Sequence, residues 1–240
     1  MFSKIDQLLS TLNKLRPLPA HTVKSLHEQL VLEWTYNSNA IEGNTLTLKE
    51  TKVVLEGITV GGKSLREHME AINHKEAIDY VESLVKNNDP LNEYTIKSIH
   101  QLVLKNIDVD NAGIYRKENV LISGAEHTPP DYLLVSEKID KLLDWHKNFA
   151  GHPIERAAIL HVDFVKTHPF IDGNGRTARL LMNLDLMKAN LLPVVIKASE
   201  RLTYYEALDK AHTQNDYQDF IKIIIKAEVE ALTFVLSLVS

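Results

Sequence analysis

Residues 154–187, IERAAILHVDFVKTHPFIDGNGRTARLLMNLDLM, read as two helices joined by a short loop that contains glycine. Ile154, Ala157, Ala158, His161, Phe164 and Val165 recur at helical spacing, as do Leu180, Leu181, Leu184 and Met187. Pro169 disfavours α geometry at His168, so the first helix stops there and the imidazole lies at or just past its end. Gly173 and Gly175 allow a tight turn whose N–H groups converge on an anion, and the second helix adds the positive end of its dipole. Arg176 and Arg179 are three apart on its first turn, so both can reach polyphosphate oxygens. Asp172 beside such a cradle calls for a divalent cation, because Mg2+ is commonly held by one or two carboxylates plus phosphate oxygens. His168 is suited to accept a proton from a hydroxyl near neutral pH.

The helical period extends outward from this stretch. Ile5, Leu8, Leu9 and Leu12, then Leu26 and Leu30, then Val54, Leu55 and Ile58, then Ile78, Val81, Leu84 and Val85 keep it, which predicts an all-α fold. Thr47 with Glu50, and Ser64 with Glu67, form capping boxes that start two distinct helices. Residues 119–135, NVLISGAEHTPPDYLLV, are the exception: β-branched and apolar residues around a Gly and a Pro-Pro pair predict a short β-hairpin or flap. No repeat or Gly/Ser-rich linker divides residues 1–240, so one unit is expected.

Composition excludes several classes of function. With 240 residues and 44% hydrophobic content the chain can bury one sizeable core, and a net charge of −5 offers no basic stripe for nucleic acid. The absence of cysteine excludes disulfides and thiolate zinc sites and suits a reducing cytoplasm, the expected location. The N-terminus has no secretory h-region, and Lys222, Lys226, Glu228 and Glu230 break the oily C-terminus well short of a membrane span.

Two motif matches fail on context. Gly57 to Ser64 fits G-x-x-x-x-G-K-[ST], which would make Lys63 the lysine of a P-loop NTPase; yet TLKETKVVLE before it is polar and capped like a helix, not a buried strand. Gly173 to Ala178 fits the dinucleotide fingerprint but follows no strand, and the chain shows no βαβ alternation.

HPFIDGNGRTAR, residues 168–179, resembles the signature of the Fic family, His-x-Phe-x-[Asp/Glu]-Gly-Asn-Gly-Arg-x-x-Arg, with every specified position filled. The resemblance implies a mainly helical Fic fold with a core over about residues 65–225, and Mg2+-dependent transfer of AMP from ATP to Ser, Thr or Tyr of a target protein. His168 would deprotonate the hydroxyl, Asp172 would hold Mg2+, and Gly173, Asn174, Gly175, Arg176, Thr177 and Arg179 would bind the nucleotide. The 119–135 hairpin is similar to the family's flap, which aligns the target by β-augmentation, with Gly124, Ala125, Glu126 and His127 over the nucleotide. Tyr204 and Tyr205 fall where the family places residues beside adenine, and His212 stands where some relatives carry an adenine-contacting Asn.

Ser38, Glu42 and Gly43, in SNAIEG within the helices of residues 1–60, resemble the inhibitory motif of one class of the family. There the Glu pairs with the second signature arginine, here Arg179, and takes the space of the ATP γ-phosphate. Some relatives with this motif also remove AMP from targets, and relatives often form dimers, so AMP removal and a homodimer are further expectations. Outside these readings stand the P-loop NTPase and a helical interaction protein with a degenerate site.

Overall fold

The structure is a computed structural model that describes residues 1–239. Its helices are α1 (Ser3–Lys14), α2 (Ala20–Ile41), α3 (Leu48–Leu55), α4 (Leu65–Lys86), α5 (Glu93–Val103), α6 (Val135–Asn148), α7 (Pro153–Thr167), α8 (Asn174–Lys188), α9 (Arg201–Gln214) and α10 (Gln218–Val239), with single 3-10 turns at Tyr132–Leu134 and Ala198–Glu200. Both expected capping boxes form: the Thr47 and Ser64 hydroxyls accept from the N–H groups of Glu50 and Glu67, whose carboxylates reach back to the cap N–H groups. Helix α7 starts with Pro153 at its first position, where a missing N–H costs nothing, and with the His152 ring accepting from the Ile154 N–H.

Helices α7 and α8 pack against each other at the centre, each touching two apolar clusters. One cluster gathers Ile5 and Leu12 of α1, Ala157 and Val162 of α7, Met182 and Leu186 of α8, Leu208 of α9 and Phe220 of α10. The other gathers Trp34 of α2, Ile78 and Val81 of α4, Ile99 of α5, Ile139 of α6, Phe164 of α7 and Leu181 of α8. Lying between them, α8 is buried on nearly all sides from Asn174 to Leu186. Its polar side chains are therefore paired: Asn183 exchanges two hydrogen bonds with Val194, and Asp185 takes a bidentate Arg156 and the His146 ring. Helix α10 buries Phe220, Ile221, Ile224 and Leu232 and is a core helix, as its charge pattern predicts. Among the described residues no helix is long and apolar enough to cross a membrane.

The β-hairpin expected over 119–135 does not form: no strand is present among the described residues. Pro129 and Pro130 have no N–H to give a ladder. Side chains close the loop instead, with Arg116 donating to the carbonyls of Glu118 and Pro130, and Asn119 bonding to the Asp131 carboxylate and the Tyr132 N–H. The P-loop match is also explained locally. Gly57 ends α3 with φ +84°, and the Lys63 ammonium is bound to the Thr45 carbonyl and hydroxyl at 2.6 and 3.0 Å. That lysine is thus a tie between two loops that follow α2 and α3.

Candidate active site

The loop between α7 and α8 is held in shape by its own residues and by α5. His168 caps α7 in a left-handed conformation, φ 48° and ψ 59°, with its N–H donating to the Phe164 carbonyl. A non-glycine residue resists this geometry, and the Arg116 side chain holds it by donating to the His168 carbonyl at 2.9 Å while the Arg116 N–H donates to the Pro169 carbonyl. Phe170 is fully buried, which contributes ~1.5–3 kcal/mol. The Asn174 amide clamps Phe170 from both sides, accepting from its N–H at 3.0 Å and donating to its carbonyl at 2.8 Å. The Asn174 side chain is therefore spent on the loop, which leaves its backbone N–H for a ligand.

His100 of α5 supports the same loop from below. Its ring stacks on Phe170 with centroids 3.5 Å apart; Nδ1 accepts from the Gly113 N–H, so Nε2 carries the proton donated to the Asp172 carbonyl at 2.8 Å. Gly173 sits at φ +76° directly above this ring, and a Cβ there would come within 3.3 Å of it. Gly173 opens α8 without a side-chain cap. The first-turn N–H groups of α8 are thus free for an anion.

A carboxylate already stands there. Glu42 ends α2, Gly43 turns the chain away with φ +98°, and Glu42 Oε1 lies 2.7 Å from an Arg179 terminal nitrogen. A Cβ on Gly175 would fall 2.2 Å from that oxygen, so the carboxylate rests in the space glycine leaves over the first turn of α8. Arg179 is almost wholly buried and fully engaged: its Nε donates to the Ser38 hydroxyl, one terminal nitrogen also to the Ser38 carbonyl, and the other to the Tyr204 hydroxyl. Arg176, equally buried, faces Glu70 at 3.4 Å and Asp172 at 3.3 Å, and Thr177 is enclosed within α8.

Asp172 uses its two oxygens differently. Oδ1 accepts from the Gly173 N–H at 2.6 Å and faces Arg176; Oδ2 is bonded to Arg66 of α4 at 2.5 Å. Burial opposes ionisation here, but Arg176, the Gly173 N–H and Arg66 outweigh it and hold the carboxyl below its usual pKa. His168 is affected in the reverse sense. Burial, then the Arg116 guanidinium, press its pKa down to about 4 against the opposing pull of the Val165 carbonyl and the carboxylates of Glu42 and Asp172. The ring is neutral at pH 7 and has a lone pair to accept a proton.

The other predicted residues are partly brought in. His127 bonds to the Lys166 carbonyl at 2.8 Å, two residues before His168, and its ring lies 5.1 Å from that of buried His212. Gly124 turns with φ +81°, the Ala125 N–H bonds to Ile122, and the Glu126 N–H points to the Asp209 carboxylate. Tyr204 is a core residue whose hydroxyl sits between Arg179 and His161, whereas half-buried Tyr205 donates to the Ile41 carbonyl just before Glu42. Sequence reasoning missed Arg66, Glu70, His100 and Arg116. Their only local signal is the i, i+4 pairing of Arg66 with Glu70.

Among the described residues no group of three or more His, Asp or Glu side chains could hold a metal by itself. The single Asp172 carboxylate beside the anion cradle fits Mg2+ shared with a nucleotide once Arg66 and Glu42 give way. A concavity of about 1050 Å³ between α1, α2 and α10 contains none of these residues.

The sequence matches the Fic/DOC family over residues 90–186. It is 38% identical to "Protein adenylyltransferase Fic" of Nematostella vectensis over 94% of this chain and 53% of that protein. The chain spans about half the length of the curated relatives it matches. A solved fragment of Fic-1 from Caenorhabditis elegans superposes with a TM-score of 0.86 at 31% identity, covering 98% of this chain and 71% of the fragment. A Fic domain containing signaling protein from Bacteroides thetaiotaomicron superposes at 0.90 with 28% identity over 98% and 96% of the two chains. With the signature loop, the helical frame and these likenesses in agreement, the chain belongs to the Fic/DOC family.

Proposed function

We propose that this chain transfers AMP from ATP to a hydroxyl side chain of a target protein, and that Glu42 restrains it. The observation that carries the proposal is a neutral His168 beside an anion cradle that already holds a carboxylate. The hydroxyl oxygen attacks the α-phosphorus, its proton passes to His168, and pyrophosphate leaves in line. The N–H groups of the first α8 turn, with Arg176 and Arg179, bind and orient the phosphates and meet the charge that develops. Asp172 would hold Mg2+, which would supply charge neutralisation on the phosphates. Among the described residues Val120 and Leu121 have no hydrogen-bond partner, and Leu121 is 84% exposed. That stretch of main chain supports a docking role for the 119–135 loop, as the place where a target segment would pair.

Glu42 restrains the reaction by competition. Arg179 cannot grip both a phosphate and the Glu42 carboxylate, and charge-assisted hydrogen bonds of this kind contribute ~1.5–3 kcal/mol. Displacing the carboxylate thus costs about one to two orders of magnitude in productive occupancy. A second reading is removal of AMP from the same target. Its support is that Glu42 Oε2, unlike Oε1, is unpaired among the described residues and could activate water.

The test uses ATP labelled on the α-phosphate. Wild type should label protein weakly, Glu42→Gly at least tenfold faster, and Glu42→Gly/His168→Ala not at all. Equal labelling with and without His168 would overturn the assignment, and release of AMP from labelled target only when Glu42 is present would favour removal.

A further inference from the structure

We propose that Arg66 is a second restraint on this site, acting at the cation end as Glu42 acts at the anion end. This inference rests on the reading of Asp172 as the cation ligand. Arg66 comes from the first turn of α4, a different element from the signature loop, and its guanidinium is 2.5 Å from Asp172 Oδ2. The other carboxylate oxygen is already tied to the Gly173 N–H and faces Arg176. Oδ2 is therefore the oxygen left for a metal ion, and among the described residues Arg66 is its partner. A guanidinium and a divalent cation on one oxygen repel each other, so the two compete for Oδ2.

The contact is not needed to build the fold. The Arg66 side chain is 57% exposed, and without it Asp172 still accepts from the Gly173 N–H and faces Arg176. Nor is Arg66 free to swing at random: its Nε donates to Glu70 Oε1 at 3.1 Å. Glu70 in turn accepts through Oε2 from Asn44, two residues past Glu42. The two restraints mirror each other in charge. A carboxylate from α2 occupies the arginine of the cradle, an arginine from α4 occupies its acid, and Glu70 links the segments that carry them. Metal binding then requires Arg66 to leave Asp172, where its exposed guanidinium can turn to the phosphates or to solvent.

The measurement is the affinity of a non-hydrolysable ATP analogue by calorimetry, in EDTA and in saturating Mg2+, so that the ratio of the two dissociation constants reports how strongly the cation couples to the nucleotide. It is made in the Glu42→Gly background, which frees Arg179. Arg66→Ala should raise the coupling ratio about two- to fivefold, in keeping with release of one partly exposed ion pair, and Arg66→Glu, which adds a second carboxylate near Asp172, should raise it further. An unchanged or smaller ratio, with nucleotide still bound in a Mg2+-dependent way, would overturn the role of Arg66 alone. Nucleotide binding that ignores Mg2+ in every variant would overturn the cation site itself, and with it the reading on which this inference rests.

Discussion

His168 shows how a single residue is prepared for proton transfer by its surroundings. An unperturbed histidine titrates near 6.5, but burial and Arg116 bring this one to about 4. The depressed value means the neutral, proton-accepting form predominates throughout the physiological range. Deleting Glu42 removes one of the influences that raise the pKa, so the basic form persists in the released variant. In Glu42→Gly, kcat/KM should stay level from about pH 6 to 8 and decline only below about pH 5. An inflection near pH 6.5 would show that the imidazole is more hydrated in the working site than this geometry implies. The Arg116 grip on the His168 carbonyl was not legible in the sequence. The two residues are 52 positions apart and share no motif, so only folding brings them together.

Helix ends make the site. The C-terminus of α2 delivers Glu42, the C-terminus of α7 delivers His168, and the uncapped N-terminus of α8 receives whatever anion is present. Gly175 lets the Glu42 carboxylate rest against the first turn of α8, because it has no side chain to meet it. Gly175→Ala should push Glu42 off Arg179 without freeing the cradle, since the methyl group fills the same volume. Its affinity for Mg-ATP by calorimetry should stay at or below wild type, whereas Glu42→Gly should raise it several-fold. If Gly175→Ala bound nucleotide as tightly as Glu42→Gly, carboxylate and phosphate would not share that space. The element boundaries were readable from local chemistry: the two capping boxes, the Pro169 stop and the period of α7 and α8 are interactions within a few residues. The 119–135 segment misled for the same reason. Its β-branched residues favour extension, but a ladder needs a partner strand and donors, and Pro129 and Pro130 supply none.

Across the whole molecule, histidine burial couples stability to pH. His100 and His212 are lowered to about 4 by burial, as is His168, and His74 and His161 are held well below their ordinary value by burial and the nearby Arg179. Each binds a proton more readily in the unfolded chain than in the folded one. Their contribution to stability is therefore complete above about pH 6.5 and lost as pH falls toward 4, at up to ~1.4 kcal/mol per pH unit for each ring. Glu228 acts in the opposite direction: burial raises it to about 7, so its contribution fades as pH rises through that value. Urea denaturation should show a steep loss of stability between about pH 6.5 and 4.5. A flat profile down to the carboxylate range would mean that these rings are solvated. By itself the sequence determined the helices, their caps, the turn at Gly173 to Gly175 and the residue types of the cradle, because each depends on neighbours a few positions away. Only the tertiary structure decided which charge meets which: Glu42 on Arg179, Arg66 on Asp172, and a neutral ring at His168. Those outcomes depend on burial and on Coulomb contacts between residues up to 137 positions apart, distances at which a linear pattern carries no geometry.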